Sequence, residues 1–398
     1  MRRHLFGIGL AVLLGSAAMS AAHAQALRIL SPGPDQTVRE EVPITIPASV
    51  VPRRGYAVVQ LDGKFLAAVG KPRTGTKLTY LWNTKGRKDE ERVKDGQHQI
   101  RVQAVDADTN QPVGGAQTVT VFVRNTVGRA PASVTLAYKY SPTQTQAYTT
   151  TVKVTQAGLP LYTAWLLVTR EVDDISYEAN PSGEAVVREV IDPTSAENLS
   201  GQLTTFYKAG TYNRFYFSST GASRLGAETI RRLQKTRQAA PEPSLPFLPM
   251  ASTARRVGSE WPYPMRLVPW YNHIDSLPIA AATHKLEGFE WQSGRATAKI
   301  VSKFDAPSST LVEGQLQRFL LKGQRVTYFD WQNGRVVRQE DTFTLDAQDT
   351  TATVPTTGGV VSPNTPSFNN PAATTGADLA NTASANQVNV EVITQMVR

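Results

Sequence analysis

Trp291-Gln292-Ser293-Gly294-Arg295 and Trp331-Gln332-Asn333-Gly334-Arg335 are two copies of one phrase, Trp-Gln-x-Gly-Arg. Each lies between runs that alternate apolar and polar residues, the period of a half-buried strand. Ser-Gly and Asn-Gly suit a two-residue hairpin loop, where the backbone must reach positive φ and a Cβ is penalised. Pairing Gln292 with Arg295 sets Trp291 opposite Ala296 and Phe289 opposite Ala298, a coherent apolar face. The same rule in the second copy sets Trp331 opposite Val336, but Phe329 opposite Arg338 and Thr327 opposite Glu340. That mixed face points to a bulge. With Leu311 to Leu321 as a strand between the hairpins, residues 283–345 read as a β-meander.

Upstream, the runs 134–140, 147–155, 161–170, 184–191, 203–207 and 212–217 are rich in Thr, Tyr and Val and predict further antiparallel strands. Leu225 to Gln238 breaks the pattern. Leu225, Ile230 and Leu233 fall near one side of a short helix whose other positions carry Arg231, Arg232, Lys235 and Arg237. A proline-rich stretch, 241–249, follows. Then come the densest aromatics, Trp261-Pro262-Tyr263-Pro264 and Trp270-Tyr271-Asn272-His273. The prolines exclude a regular central strand. Aromatics on such a rigid segment either line a groove or cap the end of a sheet, so Trp261, Tyr263, Trp270, Tyr271 and His273 are the candidate ligand-binding residues.

Downstream, residues 349–386 turn abruptly to Thr, Ala, Asn, Gly and Pro without Lys or Arg, a composition that predicts disorder. Residues 387–397 alternate again, so a final strand is expected to rejoin the sheet across this insertion, whose closure cost grows only with the logarithm of its length.

The N-terminal third holds about seven short strands with turn signals at sandwich spacing. These are 27–32, 42–48 (prolines at 43 and 47 suggesting an edge), 56–61, 65–69, 78–82, 97–106 and 119–123. Leu30-Ser31-Pro32, Asp62-Gly63, Tyr80-x-Trp82 and Asp95-Gly96-x-His98-x-Ile100-x-Val102-x-Ala104-x-Asp106 resemble the immunoglobulin-like, fibronectin-like domains of exported bacterial proteins. The resemblance implies a spacer or adhesion module and no catalysis. His98, after a turn, reads as a structural histidine. Asp106-x-Asp108-x-Asn110 opens like a calcium loop, but Gln111 and Gln117 stand where an EF-hand needs Gly and an acidic residue. Weak calcium binding stays open there beside a solvated turn.

The second part also carries a resemblance. Arg256-Val257-Gly258-Ser259-Glu260-Trp261, Leu286-Glu287-Gly288 and Tyr328-Phe329-Asp330 with Gly334 resemble uncharacterised secreted bacterial β-proteins. In these a curved antiparallel sheet forms a half-barrel similar to the periplasmic lipoprotein-carrier fold, which implies a concave groove for a hydrophobic ligand.

Composition sets the compartment. Arg2, Arg3 and His4 precede an apolar run, Leu5 to Leu14, and Ala22-His23-Ala24 gives a cleavage pattern. Together they predict a signal peptide cut after Ala24 and a secreted or periplasmic product. Loss of Arg2 and Arg3 takes the formal charge from +9 to +7. A mildly basic surface of this kind suits anionic envelope material and gives no nucleic-acid signature. Cysteine is absent, which excludes disulfides, zinc-thiolate sites and thiol nucleophiles.

No motif carries catalysis. The histidines after the signal peptide, His98, His273 and His284, lie in no Gly-x-Ser-x-Gly or His-Glu-x-x-His frame, and no phosphate loop is present. Asp173-Asp174 and Glu340-Asp341, adjacent in sequence, are assigned to turns or solvent.

The expectation is therefore a mainly β chain. It comprises a signal peptide (1–24), an immunoglobulin-like sandwich (25–126), a curved antiparallel half-barrel with one short helix (127–348), an insertion (349–386) and a final strand (387–398). The expected role is non-enzymatic binding or structural support in the cell envelope, with an apolar or glycan ligand and neither cofactor nor metal. The alternatives are a ligand-free adhesion or spacer module and, behind it, a carbohydrate-active hydrolase.

Overall fold

The computed structural model describes residues 27–86, 91–174, 184–192, 195, 212–225, 230–231, 234–235, 243, 245, 248–250, 253–267, 279–312, 315–347 and 387–397. The chain divides into two compact units, Met1–Arg124 and Asn125–Arg398. Among the described residues it is mostly strand, and no helix there reaches seven residues. The helix expected at 225–238, the leader and the 349–386 insertion fall wholly or largely outside the described residues.

In the first unit the strands are β1 (Gln36–Val38), β2 (Glu41–Pro47), β3 (Gly55–Leu61), β4 (Lys64–Gly70), β5 (Lys77–Asn83), β6 (Gly96–Asp106) and β7 (Pro112–Val123). One sheet has the order β1-β7-β6-β3-β4, and β2 pairs with β5 in the other. Ile44, Ile46 and Trp82 of the small sheet pack with Ala57, Val59, Ile100, Val102, Val121 and Val123 of the large one. Two sheets closed over such a core make an immunoglobulin-like sandwich. The first strand differs from expectation. Only Ser31 of 27–32 bridges to Thr45, and the chain pairs instead at β1, parallel to β7. Pro32 and Pro34, which lack N–H donors, interrupt the earlier run.

His98 is structural: Nδ1 lies 2.7 Å from Asp62 Oδ2 and Nε2 2.8 Å from the Lys94 carbonyl. This ties β6 to the Asp62-Gly63 turn. Partial burial would raise the Asp62 carboxyl, but hydrogen bonds from the Gln99 amide and His98 hold it below the usual range. Asp106 Oδ1 accepts from the amides of Asp108 and Thr109, each at 3.0 Å, so this loop is an Asx turn.

Among its described residues the second unit forms one antiparallel sheet of eleven strands. They are β8 (Thr145–Gln156), β9 (Leu159–Asp174), β10 (Ala185–Ile191), β11 (Tyr212–Phe217), β12 (Ser223–Leu225), β13 (Glu260–Arg266), β14 (Ile279–Gln292), β15 (Arg295–Val312), β16 (Gln315–Asp330), β17 (Arg335–Ala347) and β18 (Gln387–Met396). The spatial order is β12-β11-β10-β9-β8-β18-β17-β16-β15-β14-β13, so the last strand joins two meanders.

The first hairpin has the expected register, with Trp291 opposite Ala296 and Phe289 opposite Ala298, and Ser293 and Gly294 both at positive φ. The second does not. Asp330 pairs with Arg335 and Phe329 with Val336, leaving a four-residue loop, and a bulge follows at Tyr328. Asp330 causes this by accepting from the Asn333 amide at 3.0 Å and side chain at 2.8 Å. Leu311 to Leu321 is not one strand. β15 and β16 pair along their lengths to Val312 opposite Gln315.

The sheet is strongly curved. Arg325 on β16 reaches the Arg266 carbonyl on β13 at 3.0 Å, across three strand spacings that would span about 14 Å in a flat sheet. Consecutive amides Tyr138 and Lys139 donate to Ser219, beyond β11, and to Gly334, before β17. The end carrying the 293–294 and 331–334 turns is covered by chain. Val134, Leu136, Tyr138, Leu248 and Met250 pack there on Trp261, Leu286, Phe289 and Phe329. At the other end Leu159, Leu161 and Ile279 are exposed.

Candidate ligand site on the inner face of the curved sheet

Strand alternation fixes which residues look inward. β14 presents Ala280, Ala282, His284 and Leu286; β16 presents Leu321, Gly323, Arg325, Thr327 and Phe329; β17 presents Gln339, Asp341, Phe343 and Leu345. Each series is apolar with a polar break, and the register lines the breaks up. His284 pairs with Ser302, Ser302 with Arg325, and Arg325 with Asp341. One step along, Thr327 pairs with Gln339, Gln339 with Thr394, and Thr394 with Thr150. All are buried. A polar belt thus separates the apolar cluster containing Phe304, Leu321 and Phe343 from the cluster around Phe289 and Phe329.

Within the belt, Arg325 Nε and Nη2 each lie 2.7 Å from an Asp341 oxygen, a bidentate pair. His284 Nδ1 is 2.6 Å from Ser302 Oγ and Nε2 is 3.0 Å from the Tyr263 carbonyl. A carbonyl only accepts, so Nε2 carries the proton and Nδ1 accepts from the serine hydroxyl. Burial pushes the imidazole down to about 4, with the Arg325 charge acting in the same direction. Of the belt's own side-chain atoms, Arg325 Nη1 and Thr327 Oγ1 are buried with no hydrogen-bond partner among the described residues.

A second buried group lies toward β10. Arg170 Nε donates to Glu189 at 2.6 Å, and its guanidinium sits 5.9 Å from the Tyr148 ring. Burial pushes the Tyr148 phenol up to about 12 and those of Tyr138 and Tyr140 up as well.

Of the residues singled out from sequence, Trp261 and Tyr263 lie on one side of edge strand β13, and Trp270, Tyr271 and His273 lie outside the described residues. Trp261 is 5% exposed, its ring 5.5 Å from that of His284 and under the Arg255 guanidinium. Met265, two steps beyond Tyr263 on the same side, is 1% exposed, yet Tyr263 between them is 52% exposed. The Tyr263 side chain is thus exposed to solvent on the flank of the polar belt, whose His284 the Tyr263 carbonyl holds. Among the described residues no group of His, Asp and Glu is arranged to hold a metal ion.

The belt residues escaped sequence reasoning. Asp341, expected in a turn or in solvent, is instead buried on Arg325, while its neighbour Glu340 faces the other way toward Arg338. Asp173, of which the same is expected, is exposed to solvent but lies within β9 in place of a turn and pairs with Arg214 at 2.9 Å. The available signal was a charged residue at an inward position of an alternating strand.

No protein-family model matches the chain, and no curated protein does. Among solved structures, the fibronectin(III)-like modules of Clostridium thermocellum CbhA are 18% identical over 25% of this chain and 94% of theirs, with a TM-score of 0.17. The rhamnogalacturonan lyase YesW is 9% identical over 76% of this chain, with a TM-score of 0.14. This chain covers 52% of the lyase's length. Neither likeness bears on the chemistry of the belt.

Proposed function

We propose that the protein is an exported, non-catalytic component of the cell envelope whose second unit binds an apolar ligand on the inner face of its curved sheet. The observation that carries this reading is the open flank at Tyr263, an exposed aromatic on the inward side of β13 between two buried neighbours. An aromatic beside a concave, mostly apolar surface with a few convergent polar groups is the usual make-up of a small-molecule site.

Ser302 and His284 have the spacing of a nucleophile and its base, but both are fully buried. The third group is a carbonyl in place of a carboxylate, which supports binding over acyl transfer. A second reading, a ligand-free spacer or adhesion module, is favoured by Leu136, Leu248 and Met250, which fill the inner face around Trp261.

Organic extraction of protein purified from its own envelope fraction separates the two. A recovered apolar compound supports the binding reading; clean protein that also leaves hydrophobic dyes unbound supports the spacer. Sequencing the N-terminus of that material should find Gln25 first, and an intact Met1 would contradict export by cleavage.

A further inference from the structure

We infer, building on the binding reading, that the ligand carries a neutral hydrogen-bond acceptor, such as an ester carbonyl, rather than a free carboxylate. Arg325 is the only guanidinium in the row, and Asp341 already engages two of its nitrogens. Nη2 also donates to the Arg266 carbonyl. What is left are the two N–H groups of Nη1 and, two residues along on the same strand face, the Thr327 hydroxyl; both atoms are buried and without a partner among the described residues. Buried polar atoms are normally satisfied, so two orphans on one strand face mark a place where an outside group completes the pattern.

The charge balance selects that group. Asp341 cancels the guanidinium, and His284 is neutral above about pH 4. An incoming carboxylate would meet the Asp341 carboxylate as well as Arg325 and would lose its hydration for no net attraction. A carbonyl loses little water and accepts from Nη1–H, while the Thr327 hydroxyl donates to it or accepts from a neighbouring alcohol. A monoacylglycerol offers both groups on one apolar chain. The approach is along β13, whose Tyr263 carbonyl holds His284 and whose Arg266 carbonyl holds Arg325.

The test is calorimetric titration of delipidated full-length protein with glycerol monolaurate and, separately, with laurate. The monoglyceride should bind at least about ten-fold more tightly, the factor one good hydrogen bond supplies. Thr327→Val, close to isosteric, should lower monoglyceride affinity several-fold and leave laurate unchanged, with no loss of thermal stability. Asp341→Asn, if it folds, should expose the Arg325 charge and shift the preference toward laurate. Equal or tighter binding of laurate by the natural protein overturns the inference and leaves the binding reading standing. So does a Thr327→Val protein that is merely more stable and binds unchanged. Failure of both probes to bind overturns the binding reading with it.

Discussion

Arg325 and Asp341 face each other across β16 and β17, two nitrogens on two oxygens at 2.7 Å, with neither side chain reached by solvent. A buried pair of this kind offers little over apolar residues of the same volume, yet is costly to break. Asp341→Ala should therefore cost about 3–5 kcal/mol, while Arg325→Met with Asp341→Leu should lose far less. Urea unfolding followed by tryptophan fluorescence checks the order. Equal losses in the single and double variants would contradict it.

His284 gives the second unit an acid-sensitive contribution. Folded, its imidazole is held down to about 4 by burial, whereas in the unfolded chain it titrates near the ordinary histidine value of 6.5. Below pH 6.5 the unfolded state takes up a proton that the folded state refuses, so stability falls as pH drops from 6.5 toward 4, by up to ~3 kcal/mol. His284→Gln should remove that part of the slope. A melting-temperature profile that is unchanged by the substitution would refute the assignment.

Gly323 is needed for packing. A Cβ there would lie 2.4 Å from Phe343 Cβ and from the Thr342 carbonyl, under a ring that meets Phe304 edge-on. Gly323→Ala should cost about 1–3 kcal/mol as overpacking. Gly288 in β14 has nothing within 4 Å of its Cβ position. Gly288→Ala should be neutral or mildly stabilising because it restricts only the unfolded chain. Denaturant midpoints of the two variants give the comparison.

β18 holds the sheet together, pairing with β17 on one side and β8 on the other, with Val390 and Val392 buried. Removing residues 387–398 should unfold the second unit and spare the first, whose core is its own. An amide NMR spectrum should then keep one dispersed set of peaks, and adding the 387–398 peptide should restore the rest. Full dispersion without the strand would contradict this.

Local structure was legible where strand period and turn chemistry agree. Ser293-Gly294 and its flanking alternation define the first hairpin because both loop residues take positive φ. The second copy of the phrase misleads because Asp330, outside the repeated residues, caps a longer loop. β15 is hard to see because Pro307, Ser308 and Ser309 look like a turn. They are accommodated because β14 pairs with β15 only as far as Lys303, which leaves that side of Pro307 without a ladder partner.

The polar belt was less accessible still. Each strand contributes one or two polar residues at inward positions, which alone suggest a solvated face or a strand end. Only the register of β14 through β18 turns His284, Ser302, Arg325 and Asp341 into neighbours. The candidate aromatics stand out by composition alone, and although alternation puts Trp261 and Tyr263 on the same side of β13, only Trp261 is buried.

Native mass spectrometry of the protein purified from its own envelope, beside a Tyr263→Lys variant, tests the binding claim most directly. Tyr263 is exposed, so the variant should melt with the natural protein. The natural protein should carry extra mass that organic solvent releases as an apolar compound, and the variant should carry none. A natural protein at its bare polypeptide mass, unable to take up monoglyceride or hydrophobic dye, would contradict it.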